Sequence, residues 1–490
     1  MPGFALDRSR ADGWQDQIFA HFRALILDGA LKPGAVLPSS RALARDIGVA
    51  RQTVVLAYGR LTAEGYLTGR PGSATRVSAL LPDILLPTPG GLRSEPVRPS
   101  PNLSEAGLSR RGRATAALPV TAARPGAAML APGIPAVDAF PGQIWARLSA
   151  EVWRGGAPSL LGYGDPAGYR PLRQAIAAYL GAMRGIACTA EQVIVTSGSQ
   201  QAISLAAQLL ADAGDAAWVE DPAYVAGRNA LSVAGLRTVP VPVDMEGLDV
   251  AAGEASAAHA RLALVTPSHQ YPLGAVMSLR RRFALLAWAE RANAWVIEDD
   301  YDGEFRYSGR PLQPLAALDA GQERVIYVGT FSKVLAPGLR LGYVVLPGRL
   351  VGAFTAGRAL ADRQSPGPDQ AILAEFIARG YLARHIRAMR VLYRARRDAL
   401  ADAVARHADG LLDMALPECG LHALGLFSDS SVMDTEIYGR ALRLGLQTPP
   451  LSAYYSPGHP RSGLLLGFAS TPEEQIAPAV RRLVTLFRRD

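Results

Sequence analysis

Apolar residues recur at helical spacing near the start of the chain. Ile18, Phe22, Leu25 and Ile26 line one face of a segment running from residue 13 to 29, where a glycine ends it. Pro38-Ser39-Ser40 predicts a second helix over 41–47, opened by serine hydroxyls that cap free backbone N–H groups and closed at Gly48. A third helix is expected from Arg51 to about Glu64, before Gly65. Two short extended pieces, 66–68 and 74–77, flank the turn Gly69-Arg70-Pro71-Gly72-Ser73. Helix, helix–turn–helix and two-stranded wing together predict a winged helix-turn-helix over residues 1–78.

The periodicity then lapses. Residues 79–125 are rich in Pro, Gly, Ser and Arg, which predicts a semi-extended linker, since proline stiffens the chain and the composition supplies no core. Its basic run Arg110-Arg111-Gly112-Arg113 reads either as a DNA contact or as a solvated charge cluster. Over 126–490, β-branched runs alternate with helical segments, the pattern of an α/β domain built on a mainly parallel sheet. Four predicted strands end in polar residues, 192–196, 217–220, 262–266 and 295–298, and a fifth, 324–328, leads into the run that holds Lys333. Ligands of open α/β sheets bind beyond the carboxyl ends of the strands, so these ends are expected to share one site.

Composition narrows the class. Of 490 residues 49% are apolar, enough for sizeable cores, yet no uninterrupted apolar run of about eighteen predicts a membrane span. The N-terminus lacks a basic-then-apolar leader, and Cys188 and Cys419 stand far apart in no CxxC arrangement. A reducing cytoplasm is expected, with both thiols as packing residues and no metal cage. The net charge of +8 is uneven: residues 1–80 carry ten Lys/Arg against six Asp/Glu, and 81–125 six against three. The remaining three-quarters is about neutral, as for a small nucleic-acid-binding module joined to a large ordinary domain.

Candidate chemistry centres on a lysine. Only Lys32 and Lys333 occur in an arginine-rich chain, and Lys333 lies in Gly329-Thr330-Phe331-Ser332-Lys333-Val334-Leu335-Ala336-Pro337-Gly338-Leu339-Arg340. Arginine cannot form a Schiff base, whereas a lysine of lowered pKa can, and the hydroxyls and Arg340 around it suit a phosphate. The competing reading is a solvated surface amine. Thr196-Ser197-Gly198-Ser199-Gln200-Gln201, between a strand and a helix, is either a plain turn or part of that phosphate cup. Glu298-Asp299-Asp300-Tyr301-Asp302 reads as a solvated turn, as a metal site lacking the usual partners, or as an acid for a protonated ring nitrogen. Tyr224 either stacks on a flat ring or packs in the core, and Tyr163 is equally open.

These segments carry a resemblance. Leu37–Arg41, Gly48–Val54 and Ala57-Tyr58 resemble a GntR-type winged helix. Tyr163–Gly168, Thr196–Gln200, Asp221–Tyr224, Thr266–Pro272, Glu298–Asp302 and Thr330–Arg340 resemble, in this order, a fold-type I, pyridoxal-phosphate-dependent aminotransferase of class I/II. Joined, the two resemble the MocR/GabR family of bacterial transcriptional regulators over nearly the whole chain apart from the linker.

The resemblance implies that Lys333 holds pyridoxal 5'-phosphate as a Schiff base. It implies Asp299 on the pyridine nitrogen, Tyr301 on the ring oxygen and Tyr224 on the ring face. Ser199, Gln200, Thr330, Ser332 and Arg340 would bind the phosphate, with Tyr163 reaching it from a neighbouring subunit. Arg41, Arg51 and Thr53 match positions that contact double-stranded operator DNA, and Gly72 matches the wing tip. A head-to-tail, domain-swapped homodimer is implied as well.

Two departures from the aminotransferase pattern stand out. Tyr271 occupies the place of an Asn that helps hold the ring oxygen, and Leu465 the place of the Arg that grips the substrate carboxylate. Arg461 and Arg228 are alternative cations for that role. The expected function is a regulator sensing pyridoxal phosphate or an amino compound, with at most weak transaminase activity. The alternatives are a working aminotransferase carrying a DNA-binding arm, and a cofactor-free dimerisation scaffold.

Overall fold

Local sequence signals set the first unit. Helices α1 (Trp14–Leu27), α2 (Ser40–Ile47) and α3 (Arg51–Ala63) enclose Ile18, Phe22, Leu43, Val54, Ala57 and Leu61, all buried. The Ser39 hydroxyl accepts the Ala42 N–H at 3.2 Å, and Gly48 closes α2 at φ +69°, a left-handed conformation that costs glycine little. Strands β1 (Leu67–Thr68) and β2 (Arg76–Val77) pair antiparallel, with Leu67 opposite Val77. A winged helix-turn-helix results.

This structure is a computed structural model, describing residues 6–7, 12–69, 74–79, 107–119, 128–155, 158–309, 313–319, 323–458 and 460–487. Gly72, the expected wing tip, lies outside the described residues. The chain divides into two units, Met1–Ala106 and Gly107–Asp490. Within the stretch expected as linker, where no element is predicted, a short helix α4 (Arg110–Ala116) forms. Ser109 caps it, and Arg110, Arg111 and Arg113 point to solvent.

In the second unit the helices that matter for the site are α5 (Arg170–Arg184), α6 (Ser199–Leu210), α7 (Val225–Val233) and α8 (Tyr381–His407). The main sheet contains β3 (Val193–Thr196), β4 (Ala216–Asp221), β5 (Arg237–Asp244), β6 (Gly247–Leu248), β7 (Leu262–Val265), β8 (Trp295–Asp300), β9 (Val325–Thr330) and β10 (Gly342–Val345). Their order is β3-β10-β9-β8-β7-β4-β5-β6. Strands β5, β4, β7, β8 and β9 are mutually parallel, and β10 runs antiparallel between β9 and β3. Both faces are buried, as a sheet of this kind requires. Ile194, Val219, Leu264, Ile297 and Val328 meet α6 and α7 on one face, while Val195, Trp218, Ala263, Val296 and Tyr327 fill the core on the other. A small antiparallel sheet follows, from β11 (Leu412–Met414), β12 (His422–Phe427) and β13 (Gly463–Gly467).

Three predicted strands run on past their expected ends, β4 by one residue to Asp221. β8 continues through Asp300 because Asp299 and Asp300 pair with Val328 and Gly329, and β9 continues through Thr330. The fold is therefore a winged helix-turn-helix followed by a doubly covered α/β domain with a smaller antiparallel appendage.

Candidate functional site

The carboxyl ends of β3, β4, β7, β8 and β9 open on one edge of the sheet, since β3 and β9 are both antiparallel to β10 and the others parallel to β9. The four carboxylates at the end of β8 are sorted by strand parity. Glu298 and Asp300 share the face of Val296; Asp299 shares the face of Ile297, toward α6 and α7.

Three of the four have partners, although Asp300 keeps one oxygen, Oδ1, without one. Glu298 accepts the backbone N–H groups of Leu315 and Ala316, each at 2.9 Å. Asp300 is ion-paired with buried Arg184 and accepts the Tyr327 hydroxyl at 2.7 Å. Asp302 lies against His269 Nδ1 at 3.0 Å. Asp299 is different: it is 3% exposed, and its side chain makes no hydrogen bond or ion pair among the described residues. Burial, and next the charge of Asp300, push its carboxyl from 3.8 up to about 7, with Lys333 acting the other way.

Lys333 follows β9, and its Nζ donates to the Gly133 carbonyl at 2.7 Å. Burial pulls the amine below its usual range, against the opposing pull of Asp302 and Asp299. Gly133 belongs to a loop held by β13, where Gly467 N–H donates to Leu130 O at 2.8 Å. No role for this loop was read from the sequence; its signal was only a Pro-Gly pair.

The residues expected around a phosphate converge on the start of α6. Gly198, at φ +119°, precedes Ser199, the first residue of that helix, and a methyl on Gly198 would lie 3.8 Å from the Arg340 guanidinium. Free N–H groups at such a terminus favour an anion. Thr330 Oγ1 accepts the Ser332 N–H at 3.2 Å, tying those two hydroxyl residues together. Gln200 is turned elsewhere: its Nε2 donates to Ala226 O at 2.9 Å, leaving Oε1 without a partner. Tyr163 stands apart from this group, 84% exposed, with the Arg363 guanidinium over its ring at 4.3 Å.

Aromatic and imidazole groups form the other wall. The Tyr301 hydroxyl is 2.9 Å from His269 Nδ1, so His269 sits between Tyr301 and Asp302. His422 is 5.1 Å from His269 between ring centroids, and burial, then His269, pull it down to about 3. His269, Asp302 and His422 form a metal-like constellation that sequence spacing had not revealed. Here the hydrogen bonds among His269, Asp302 and Tyr301 account for two of the three members. Tyr224, just past β4, packs edge-on to Tyr271, whose hydroxyl is 3.1 Å from that of Tyr454.

Leu465, on β13, is fully buried among Val225, Leu451 and Tyr454, with Tyr271 against them. An apolar cluster thus fills the position where a carboxylate-gripping arginine was expected. Of the two alternative cations, Arg461 is exposed, whereas half-buried Arg228 lines a small cavity with Asp299, Tyr224, Glu220 and Thr266. Glu220 is held in that wall by Thr266 and Gln270, a role also unseen in the sequence.

In the first unit, Arg51 and Thr53 occupy the first turn of α3, and Arg41 the first turn of α2. Arg41 and Arg51 are exposed, and Arg51 Nε reaches Ser40 Oγ at 3.4 Å, so both helix starts present one polar surface. Val55 and Leu56 are exposed on the same helix, apolar side chains of the sort that meet thymine methyls in a groove.

Comparison with known proteins agrees with both halves. Residues 139–481 match aminotransferases of class I and II, and residues 14–77 match the gntR family of bacterial regulatory proteins. The chain is 37% identical over 486 residues to a probable rhizopine catabolism regulatory protein, MocR, of Rhizobium meliloti, covering 98% of this chain and 95% of the relative. It is 34% identical to the HTH-type pyridoxine biosynthesis transcriptional regulator PdxR of Corynebacterium glutamicum, covering 94% and 93%. Among solved structures it resembles LysN, the α-aminoadipate aminotransferase of Thermus thermophilus complexed with N-(5'-phosphopyridoxyl)-L-leucine. That likeness has a TM-score of 0.68 at 29% identity and covers 74% of this chain and 92% of LysN.

Proposed function

The chain belongs to the MocR family of HTH-type transcriptional regulators, which join a GntR DNA-binding domain to an aminotransferase class I and II domain, and on that premise we propose that it binds pyridoxal 5'-phosphate and regulates transcription in response to it or to an amine. The observation that carries this reading is Asp299, a buried carboxylate without a partner beside the half-buried, desolvated amine of Lys333. A protonated pyridine nitrogen supplies the missing partner, so the residues present fit the cofactor.

When bound, the cofactor supplies an aldehyde that condenses with amines and a ring that withdraws electrons. Lys333 is the covalent anchor; its desolvated amine is held by Gly133 O. Asp299 holds a proton on the ring nitrogen. Tyr301, oriented by His269 and Asp302, holds the ring oxygen in the absence of the usual Asn at Tyr271. Tyr224 covers the ring face. Ser199, Thr330, Ser332 and Arg340 take the phosphate, with the start of α6 adding its N–H groups, the backbone of Gln200 among them and its side chain turned to Ala226 O. Tyr163, so widely exposed, is assigned to a second copy's phosphate in a head-to-tail homodimer.

Arg41, Arg51 and Thr53 bind operator DNA in the cytoplasm. The apolar surroundings of Leu465 favour a sensor over a transaminase, because an α-carboxylate finds no bidentate arginine there. The effector is then pyridoxal phosphate itself, or an amine whose anionic group meets Arg228.

The test has two arms. Borohydride reduction of purified protein with added pyridoxal phosphate should mark Lys333 and not Lys333→Ala. Operator binding, titrated with and without pyridoxal phosphate, should change in midpoint. An unmarked Lys333 sinks the cofactor assignment; an unchanged midpoint sinks its sensing role.

A further inference from the structure

Behind β8, on the side facing away from Asp299, lies a polar cavity of about 270 Å³. Arg184 from the end of α5, Glu304 and Arg306 from the loop after β8, and Arg390 and Arg394 from α8 line it, together with Ser308. Four guanidinium groups converging on one cavity repel one another unless a counter-charge is present.

The resident carboxylates supply only part of it. Arg184 is paired with Asp300, and Arg306 with Glu418 at 2.9 Å on the exposed side. Arg390 and Arg394, one helical turn apart, have no carboxylate partner among the described residues. They donate instead to backbone carbonyls, Arg390 to Glu304 O and Arg394 to Tyr307 O, each at 2.6 Å. Three buried atoms in the lining also lack partners: Arg184 Nε and Glu304 Oε2, on residues 9% and 6% exposed, and Arg306 Nε. Unmade hydrogen bonds on buried charged groups are costly and mark places that a ligand can complete.

Backbone space is set aside for these guanidiniums. A methyl on Gly303 would collide with both Asp300 and Arg184. On Gly309 it would come within 2.9 Å of the Arg306 side chain. A different residue at Gly303 would displace the arginine that reaches the cavity.

We propose that this cavity is an anion-binding site, separate from the cofactor pocket, that takes the phosphate group of a small phosphorylated ligand. Planar guanidinium forks approaching from three elements suit a tetrahedral anion with several oxygens better than a planar carboxylate. Burial and Asp300 push the Glu304 carboxyl up to about 7, so near neutral pH it can donate a proton to one phosphate oxygen while Tyr179 donates to its other oxygen at 2.8 Å. The side of β8 separates the two sites: Asp299 faces the cofactor residues and Asp300 faces this cavity.

The probe is inorganic phosphate, titrated calorimetrically into the full chain pre-saturated with pyridoxal phosphate, which fills the other phosphate cup, at constant ionic strength set with chloride. The full chain should bind phosphate, and Arg390→Ala/Arg394→Ala should weaken it by about tenfold or more, from the loss of two charge-assisted contacts. Arg394→Ala alone, at an exposed helix position, should show a smaller loss in the same direction without affecting folding. Arg387→Ala, exposed on the same helix but outside the lining, should leave binding unchanged. No phosphate binding by the full chain overturns the proposal. So does binding that survives the double substitution. The cofactor assignment stands or falls separately, on borohydride marking of Lys333.

Discussion

Replacing Asp299 by Asn should move the stability of the cofactor-free and cofactor-loaded protein in opposite directions. In the cofactor-free chain this carboxyl is buried without a partner, and its pKa rises from 3.8 to about 7. Because the folded state holds the proton more tightly than the unfolded state, the stabilisation is complete below about pH 3.8. It is lost as pH rises to about 7. At about 1.4 kcal/mol per tenfold change in proton affinity, the ceiling on that loss is about 4 kcal/mol. Asn is isosteric and carries no charge, so the cofactor-free Asp299→Asn protein should be more stable than the parent at pH 8, by up to about that amount. Near pH 4 the two should converge. Urea unfolding followed by tryptophan fluorescence reads this directly, since Trp218 and Trp288 are stacked in the core of the same unit. Glu298, also raised to about 7 by burial, contributes alike to both proteins, whereas the repulsion between Glu220 and Asp299 is part of what the substitution relieves. With pyridoxal phosphate the sign reverses: the carboxylate gains a cationic partner, and its loss should weaken cofactor binding by roughly 3 kcal/mol, about two orders of magnitude in Kd. A variant that is no more stable at pH 8 without cofactor, or one that binds the cofactor as tightly as the parent, refutes the assignment of Asp299 as an unpaired acid awaiting a ring nitrogen.

Two further outcomes are expected. Arg51→Ala should weaken operator binding by about 1–3 kcal/mol in a gel-shift titration while leaving cofactor absorption unchanged, because it lies on α3 of the first unit; retained affinity would remove α3 as the DNA-reading helix. Leu465→Arg should lower the melting temperature, by an amount corresponding to about 3 kcal/mol or more, since it buries a charge among Val225, Leu451 and Tyr454. Addition of an α-amino acid to the loaded protein should recover part of that loss, and a variant melting like the parent would show that the cluster is open to water.

The helices of the first unit were readable because their determinants are local: apolar residues three and four apart, Ser39 ahead of α2, Gly48 behind it. The strands of the second unit were readable for a related reason, as short β-branched runs between turns, and the rule that ligands gather at strand ends brought Lys333, Asp299 and Gly198 to one edge before any contact was known. The identities of the reactive groups were equally plain, since a lysine so rare in an arginine-rich chain advertises its chemistry.

Tertiary packing settled which of several like groups acts. Four carboxylates in five residues look interchangeable in a linear string, but the two-residue period of β8 sends Asp299 and Asp300 to opposite faces. Arg184, Tyr327, His269 and the backbone of residues 315–316 then arrive from distant segments to occupy the other three. The same holds for Arg228, brought beside Asp299 from α7, and for the four arginines of the polar cavity, which come from three separate parts of the chain. Spacing along a chain encodes the periodicity of an element, whereas the partner of a buried charge depends on which elements the sheet order places against it.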